Sequence, residues 1–128
     1  MPGFSSQNNH PLFKIDHNQK ERSITLTPKK DKPKYSLIWL HGLGDSAYGF
    51  ADVFLDPNWS FVPDNICKVR LLTAPERPVT LNGGMLMNSW YDILSLRGDH
   101  ISSLDDLFSK YSKTELMESV DIVSKVID

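Results

Sequence analysis

An α/β fold built on a mostly parallel sheet with flanking helices is predicted by three features of this sequence. The run Tyr35-Ser36-Leu37-Ile38-Trp39-Leu40 is apolar at almost every position, as expected of a central strand buried on both faces of a parallel sheet. A glycine-rich turn, His41-Gly42-Leu43-Gly44, follows it at once and leads into a helical pattern. A second strand pattern from Cys67 to Thr73 completes a strand, turn, helix, strand unit, whose crossover must lie across the sheet and cover one face of it.

Composition sets the frame for these elements. The chain has 128 residues, 40% hydrophobic and 23% charged, with 14 Lys plus Arg against 16 Asp plus Glu. That is the make-up of a soluble globular domain and excludes disordered and collagen-like classes. The longest apolar run, Leu37 to Leu40, is far shorter than the roughly 20 residues of a transmembrane helix. Met1 to Asn9 is polar and lacks the basic and apolar stretches of a signal peptide, so a cytoplasmic location is expected. The single cysteine, Cys67, cannot form an internal disulfide. Residues 14–34 carry seven bases against three acids, and residues 99–128 carry seven acids against three bases. The basic block has no interleaved aromatics and reads as a solvated loop, so no nucleic-acid partner is expected.

Along the chain, residues 1–22 read as a polar N-terminal tail with a few apolar positions (Phe4, Leu12, Phe13, Ile15). From Ser23, Ile24 and Leu26 alternate with Thr25 and Thr27, a strand closed by Pro28. After the buried strand, Asp45 or Ser46 is placed to cap a helix with a buried stripe of Phe50, Val53 and Phe54, ending before Pro57. The strand from Cys67 ends at Ala74-Pro75, and Cys67 itself reads as a small core residue. Glu76 to Leu96 has apolar residues without clean periodicity and reads as a functional loop or lid. Ser112-Lys113-Thr114-Glu115 has capping-box spacing, and Leu116, Val120, Val123 and Ile127 then repeat at helical intervals up to Asp128 without a stop signal.

Chemistry is concentrated at the turn after the first buried strand. It is not a dinucleotide fingerprint, because after Gly42 and Gly44 the third position is Ala47, and no Walker A pattern occurs. Two readings remain at this point. The turn presents backbone N–H groups that stabilise a developing oxyanion, or it is a sharp connection needing glycine for geometry alone. Histidines His10 and His17 lie in the polar tail and no HExxH or paired-Cys spacing exists, so neither a metal nor a cofactor is expected.

Two ordered blocks carry a resemblance. Leu37 to Ser46 followed by Phe50-Ala51-Asp52-Val53-Phe54 forms the first, and Thr73 to Asn82 followed by Met87-Asn88-Ser89-Trp90-Tyr91-Asp92-Ile93 the second. Together they resemble the acyl-protein thioesterases and small carboxylesterases of the α/β-hydrolase class, also called the phospholipase/carboxylesterase family. The resemblance covers residues 23–128 and only the N-terminal half of that family's domain, so an incomplete α/β-hydrolase-type sheet is expected. It implies hydrolysis of fatty acyl thioesters or esters, of the depalmitoylation or lysophospholipase type, on an acylated protein or lipid ester. It also implies that the backbone N–H of Leu43 is an oxyanion-hole donor. His41, Gly42 and Gly44 would shape that turn, with His41 a hydrogen-bonded structural residue rather than a general base. Leu81, Met85, Leu86, Met87 and Trp90 would line the acyl-binding lid.

The family's nucleophile lies on a G-x-S-x-G elbow after a later strand, followed by Asp and then His. No G-x-S-x-G occurs in this sequence; Gly44-Asp45-Ser46-Ala47-Tyr48 lacks the closing glycine. Ser46, Asp92 and His100 have the right order, but nothing in the local sequence positions them as a triad. No catalytic residue is therefore assigned, and the chain is expected to be inactive alone. Two alternatives stand beside a truncated serine esterase: a non-catalytic relative acting as a binding or structural subunit, and a complete small enzyme with an unrecognised site. Half a sheet also leaves the Leu37 to Leu40 strand with an open edge, which a partner chain would cover.

Overall fold

Alternation of apolar and polar side chains drives the first element of the computed structural model, which describes residues 10–56, 58, 66–95 and 101–127. Strand β1 (Phe13–Asn18) buries Phe13 and Ile15 and turns Lys14 and Asp16 to solvent. It pairs antiparallel along its whole length with β2 (Ser23–Pro28), from Phe13 opposite Pro28 to Asn18 opposite Ser23. The tail expected over residues 1–22 is thus corrected from residue 13 onward. Two buried apolar residues with a paired neighbour outweigh a polar composition, because the ladder satisfies the backbone whatever the side chains are. His10 is docked as well. Its Nε2 donates to the carbonyl of Leu55 at 2.8 Å, and its Nδ1 accepts from Leu12 N–H at 3.1 Å.

The crossover unit forms as expected. Strand β3 (Tyr35–Leu40), helix α1 (Ala47–Leu55) and strand β4 (Cys67–Leu72) follow in order, with β3 and β4 parallel and Leu37 opposite Val69. Strand β2 pairs antiparallel with the other side of β4, giving a four-stranded sheet of order β1-β2-β4-β3. Strand β3 is therefore an edge strand among the described residues, not the central strand that its apolar run suggests. Its residues are half-buried or exposed, Tyr35 to 64% and Leu40 to 43%. An apolar run reports a capacity for burial on two faces; which strands flank it is settled by non-local pairing. Helix α1 lays Ala47, Ala51, Phe54 and Leu55 against Ile24, Leu26, Val69 and Leu71, all of them buried. Trp39 covers this core from β3, with ring centroids 5.4 Å from Phe54 and 5.0 Å from Phe50.

Residues from Ala74 onward make a second compact unit. Strands β5 (Glu76–Val79) and β6 (Met85–Asn88) form an antiparallel hairpin, joined through a 3-10 turn at Thr80–Asn82. Gly83 and Gly84 then take left-handed φ values of 66° and 82°, which suit glycine. Residues 76–88 of the segment expected to be a functional loop or lid thus form a hairpin. Helix α2 (Leu104–Lys110) begins at Ser103, whose Oγ accepts from Asp106 N–H at 3.1 Å. Helix α3 (Lys113–Ile127) starts at the expected cap, Ser112 Oγ accepting from Glu115 N–H at 3.3 Å. Its Leu116, Val120, Val123 and Ile127 are half-buried or exposed, and Ser119 is its one buried residue. No helix among the described residues is long and apolar enough to cross a membrane.

Candidate functional site

The turn after β3 is a tight one with a defined geometry. Asp45 N–H donates to the Gly42 carbonyl at 3.2 Å, an i to i+3 bond that closes a β-turn over Gly42-Leu43-Gly44-Asp45. Gly44 has φ 83° while Leu43 lies at negative φ, which makes this a type II turn and explains glycine at its third position. Gly42 needs no such exemption: a methyl group added there meets no atom within 4 Å. The missing side chain leaves the Gly42-Leu43 backbone open to approach. Leu43 N–H donates to no group among the described residues, and its side chain is 44% exposed. A fixed backbone N–H held ready for an external acceptor is the element an oxyanion site requires.

His41 stands at the end of β3 with 3% of its surface exposed, and its Nδ1 lies 2.6 Å from the Gly42 carbonyl. A carbonyl only accepts, so Nδ1 carries the hydrogen and donates it. The ring is thus buried and hydrogen-bonded.

Beyond the turn, the start of α1 is held by residues from elsewhere. Ser46 is the N-cap but makes no side-chain capping bond. Instead the Thr73 hydroxyl, at the end of β4, accepts from Ala47 N–H at 2.9 Å and donates to the Arg22 carbonyl at 2.6 Å. This tertiary cap replaces the local cap expected from Asp45 or Ser46. Asp45 Oδ1 accepts from Ser46 N–H at 2.8 Å, and its carboxylate lies over Gly49, where a methyl group would sit 2.0 Å from Oδ1. Turn and helix start thereby form one hydrogen-bonded assembly.

The second block of candidate residues lies on the hairpin. Met85 and Leu86 are each 63% exposed and Leu81 is 40% exposed, while Met87 and Trp90 are half-buried. What holds this apolar strip is polar. The Asp92 carboxylate, itself buried, accepts from Thr80 N–H at 2.9 Å and from the Thr80 hydroxyl, pinning the start of the 3-10 turn. Arg77 donates from Nε to the Ser89 carbonyl at 3.1 Å and from Nη1 to Glu118 at 2.7 Å, tying β5 to α3. Ser119 Oγ donates to the Trp90 carbonyl, and Ser112 N–H to the Asp92 carbonyl at 3.0 Å.

These positions bear on the weaker candidates. Asp92 is spent on Thr80, and His100 lies outside the described residues. Ser89 is 1% exposed and donates to the Tyr91 carbonyl at 2.8 Å, a structural role. Burial raises the Cys67 thiol above its ordinary pKa, opposed by a hydrogen bond from the Leu37 backbone, and keeps it a core residue. Thr73 and Arg77 do not emerge as site residues from the sequence, and Asp92 emerges only as a triad candidate, not as a support of the 3-10 turn. Their partners are 26, 41 and 12 positions away, beyond any local pattern.

Comparison with known proteins gives the family. Residues 22–123 match the phospholipase/carboxylesterase family. An acyl-protein thioesterase 1 of Mycosarcoma maydis is 38% identical over 111 residues, covering 83% of this chain and 41% of the relative. One of Saccharomyces cerevisiae is 34% identical over 113 residues, covering 81% and 43%. Among solved structures, Zea mays acyl-protein thioesterase 2 aligns with a TM-score of 0.52 at 30% identity, over 69% of this chain and 36% of the other. The chain thus spans about two fifths of the length of these relatives. By its matched residues and its sheet, turn and helix, this chain belongs to the phospholipase/carboxylesterase family and has an α/β-hydrolase fold in part.

Proposed function

We propose that this chain is the oxyanion-donor and lid portion of a cytoplasmic serine hydrolase that cleaves fatty acyl thioesters or esters, and that it is inactive on its own. The observation that carries the proposal is the type II turn, closed by the Asp45 N–H to Gly42 carbonyl bond, which leaves Leu43 N–H without an acceptor among the described residues. In acyl transfer the carbonyl oxygen gains negative charge as the tetrahedral intermediate forms. A backbone donor already in place stabilises that charge without reorganising. The strip of Leu81, Met85 and Leu86 suits a fatty chain, whose transfer from water is favourable by about 0.8 kcal/mol per buried CH₂. The substrate is accordingly an acylated protein or a lipid ester. The attacking hydroxyl comes from outside these residues, because no G-x-S-x-G elbow is present. The open edge of β3 is the surface that a partner chain would cover.

Purified chain incubated with a palmitoyl thioester, a short-chain p-nitrophenyl ester and a fluorophosphonate probe tests this reading. Background hydrolysis and no covalent labelling are expected. Turnover that disappears on Ser46→Ala would show a complete enzyme with its own nucleophile and overturn the proposal.

A further inference from the structure

We propose that Thr73 is a positioning residue for the Leu43 amide, an inference that rests on reading Leu43 N–H as the oxyanion donor. The donor lies in a span that runs from the end of β3 to Ala47, the first residue of α1. Gly42 and Gly44 leave that span soft, because neither has a side chain to restrict its dihedrals. Its course therefore depends on how firmly its two ends are held. The β3 end is held by a paired ladder, from Tyr35 opposite Cys67 to Leu40 opposite Leu72. The α1 end has apolar packing through Ala47, Ala51, Phe54 and Leu55, which is non-directional. Direction comes from the Thr73 hydroxyl, on a residue 8% exposed just beyond β4. Its Oγ1 accepts from Ala47 N–H at 2.9 Å, where the N-cap Ser46 supplies no side-chain bond.

The hydroxyl is itself aimed. It carries one hydrogen, which goes to the Arg22 carbonyl at 2.6 Å, so a lone pair is left for Ala47. Arg22 and Thr73 each lie two residues beyond the Ile24–Leu71 pair, so the β2–β4 register brings them opposite one another. Arg22 has φ 55°, a left-handed backbone that non-glycine residues seldom adopt, and the hydroxyl holds its carbonyl in that arrangement. From Ala47 the hold passes back to the donor in two steps. Ser46 N–H donates to Asp45 Oδ1 at 2.8 Å, and Asp45 N–H to the Gly42 carbonyl at 3.2 Å. That carbonyl and Leu43 N–H belong to one planar peptide, so fixing the first aims the second. The β1–β2 connection thereby buttresses the oxyanion turn through one hydroxyl, far away in sequence.

Nuclear magnetic resonance on the isotope-labelled 128-residue chain tests this in two steps. First-turn helix amides have no partner within their helix, so in the wild type the Ala47 amide should be protected from hydrogen exchange by Thr73 alone. Exchange there at the rate of an unstructured peptide overturns the proposal without any mutation. The orientation of the Leu43 N–H vector is then read from its residual dipolar coupling in three variants. Thr73→Ser keeps the hydroxyl and should hold the Leu43 coupling within the scatter of the β1 and β4 amides. Thr73→Val puts a methyl group in its place, and Thr73→Cys a weakly hydrogen-bonding sulfur. Both should shift the Leu43 coupling by more than that scatter while β1 and β4 keep theirs. Should Thr73→Val not fold, the Ser and Cys pair, alike in shape, decides alone. A merely structural Thr73 would lower Tm in the Val and Cys variants and leave the Leu43 coupling in place; that result, or an equal shift in the Ser variant, refutes the proposal. Failure of the oxyanion reading itself appears elsewhere, as full activity of an assembled enzyme lacking the Leu43 N–H, and leaves these couplings as expected.

Discussion

Replacing each of the two turn glycines by alanine separates a conformational requirement from an open approach path. Gly44 sits at φ 83°, whereas Gly42 is not in the left-handed region and has no atom within 4 Å of an added methyl group. Both substitutions remove the same backbone freedom from the unfolded chain, a stabilising effect of about 0.4–1 kcal/mol that cancels when the two variants are compared. What remains is the cost of an L side chain at positive φ, about 1–2 kcal/mol. For a chain of this size that difference corresponds to roughly 3–8 °C in Tm. Gly42→Ala should therefore melt at or slightly above the wild type, and Gly44→Ala several degrees below Gly42→Ala. Circular dichroism at 222 nm and tryptophan fluorescence measure both transitions. Equal melting of the two variants, or a larger loss in Gly42→Ala, would refute the type II turn on which the donor geometry depends.

Three further outcomes follow from other parts of the structure. Asp92→Ala strips the Thr80 amide and hydroxyl of a buried acceptor, and should destabilise the second unit by about 3 kcal/mol; hydrogen exchange at residues 80–82 should speed up while that at β2 and β4 stays as it was. Phe54→Ala empties a site that is 1% exposed between α1 and Trp39, at a cost of about 3–5 kcal/mol in urea denaturation. Cys67, its thiol pKa raised by burial, should resist iodoacetamide at pH 8 in the native chain and react at the free-thiol rate in urea. Its folded pKa lies above the unfolded value of about 8.5, so its contribution to stability is whole below that pH and is lost as pH rises beyond it.

Much of the first unit is written locally. The period-two pattern of Ser23 to Pro28, the Gly-flanked turn, and the helix from Ala47 all appear where the residues suggest, because each rests on neighbours a few positions away. Strand β1 is harder to see, since Phe13 and Ile15 are set among polar residues and their burial comes from pairing with β2. The β5–β6 hairpin is hidden by Pro78 and by the run Met85-Leu86-Met87, which does not alternate. Helix α2 has only seven residues, too few for a periodic stripe. At the site, the sequence marks the turn and the apolar strip but not their supports. Thr73 capping α1 and Asp92 capping the 3-10 turn are meetings that only the folded chain makes.

The central claim, that Leu43 N–H is a donor to a reacting carbonyl, is tested most directly by deleting that hydrogen. Proline is favoured at the second position of a type II turn, so Leu43→Pro removes the N–H while suiting the backbone, and Leu43→Ala controls for the lost side chain. Both are made in this chain co-assembled with the C-terminal remainder of the Saccharomyces cerevisiae relative, and palmitoyl-thioester turnover is followed. Leu43→Pro should lower kcat by about 10²- to 10³-fold, the usual effect of losing one oxyanion donor, with Leu43→Ala near the parent rate. A Leu43→Pro assembly that turns over as fast as Leu43→Ala would contradict the account.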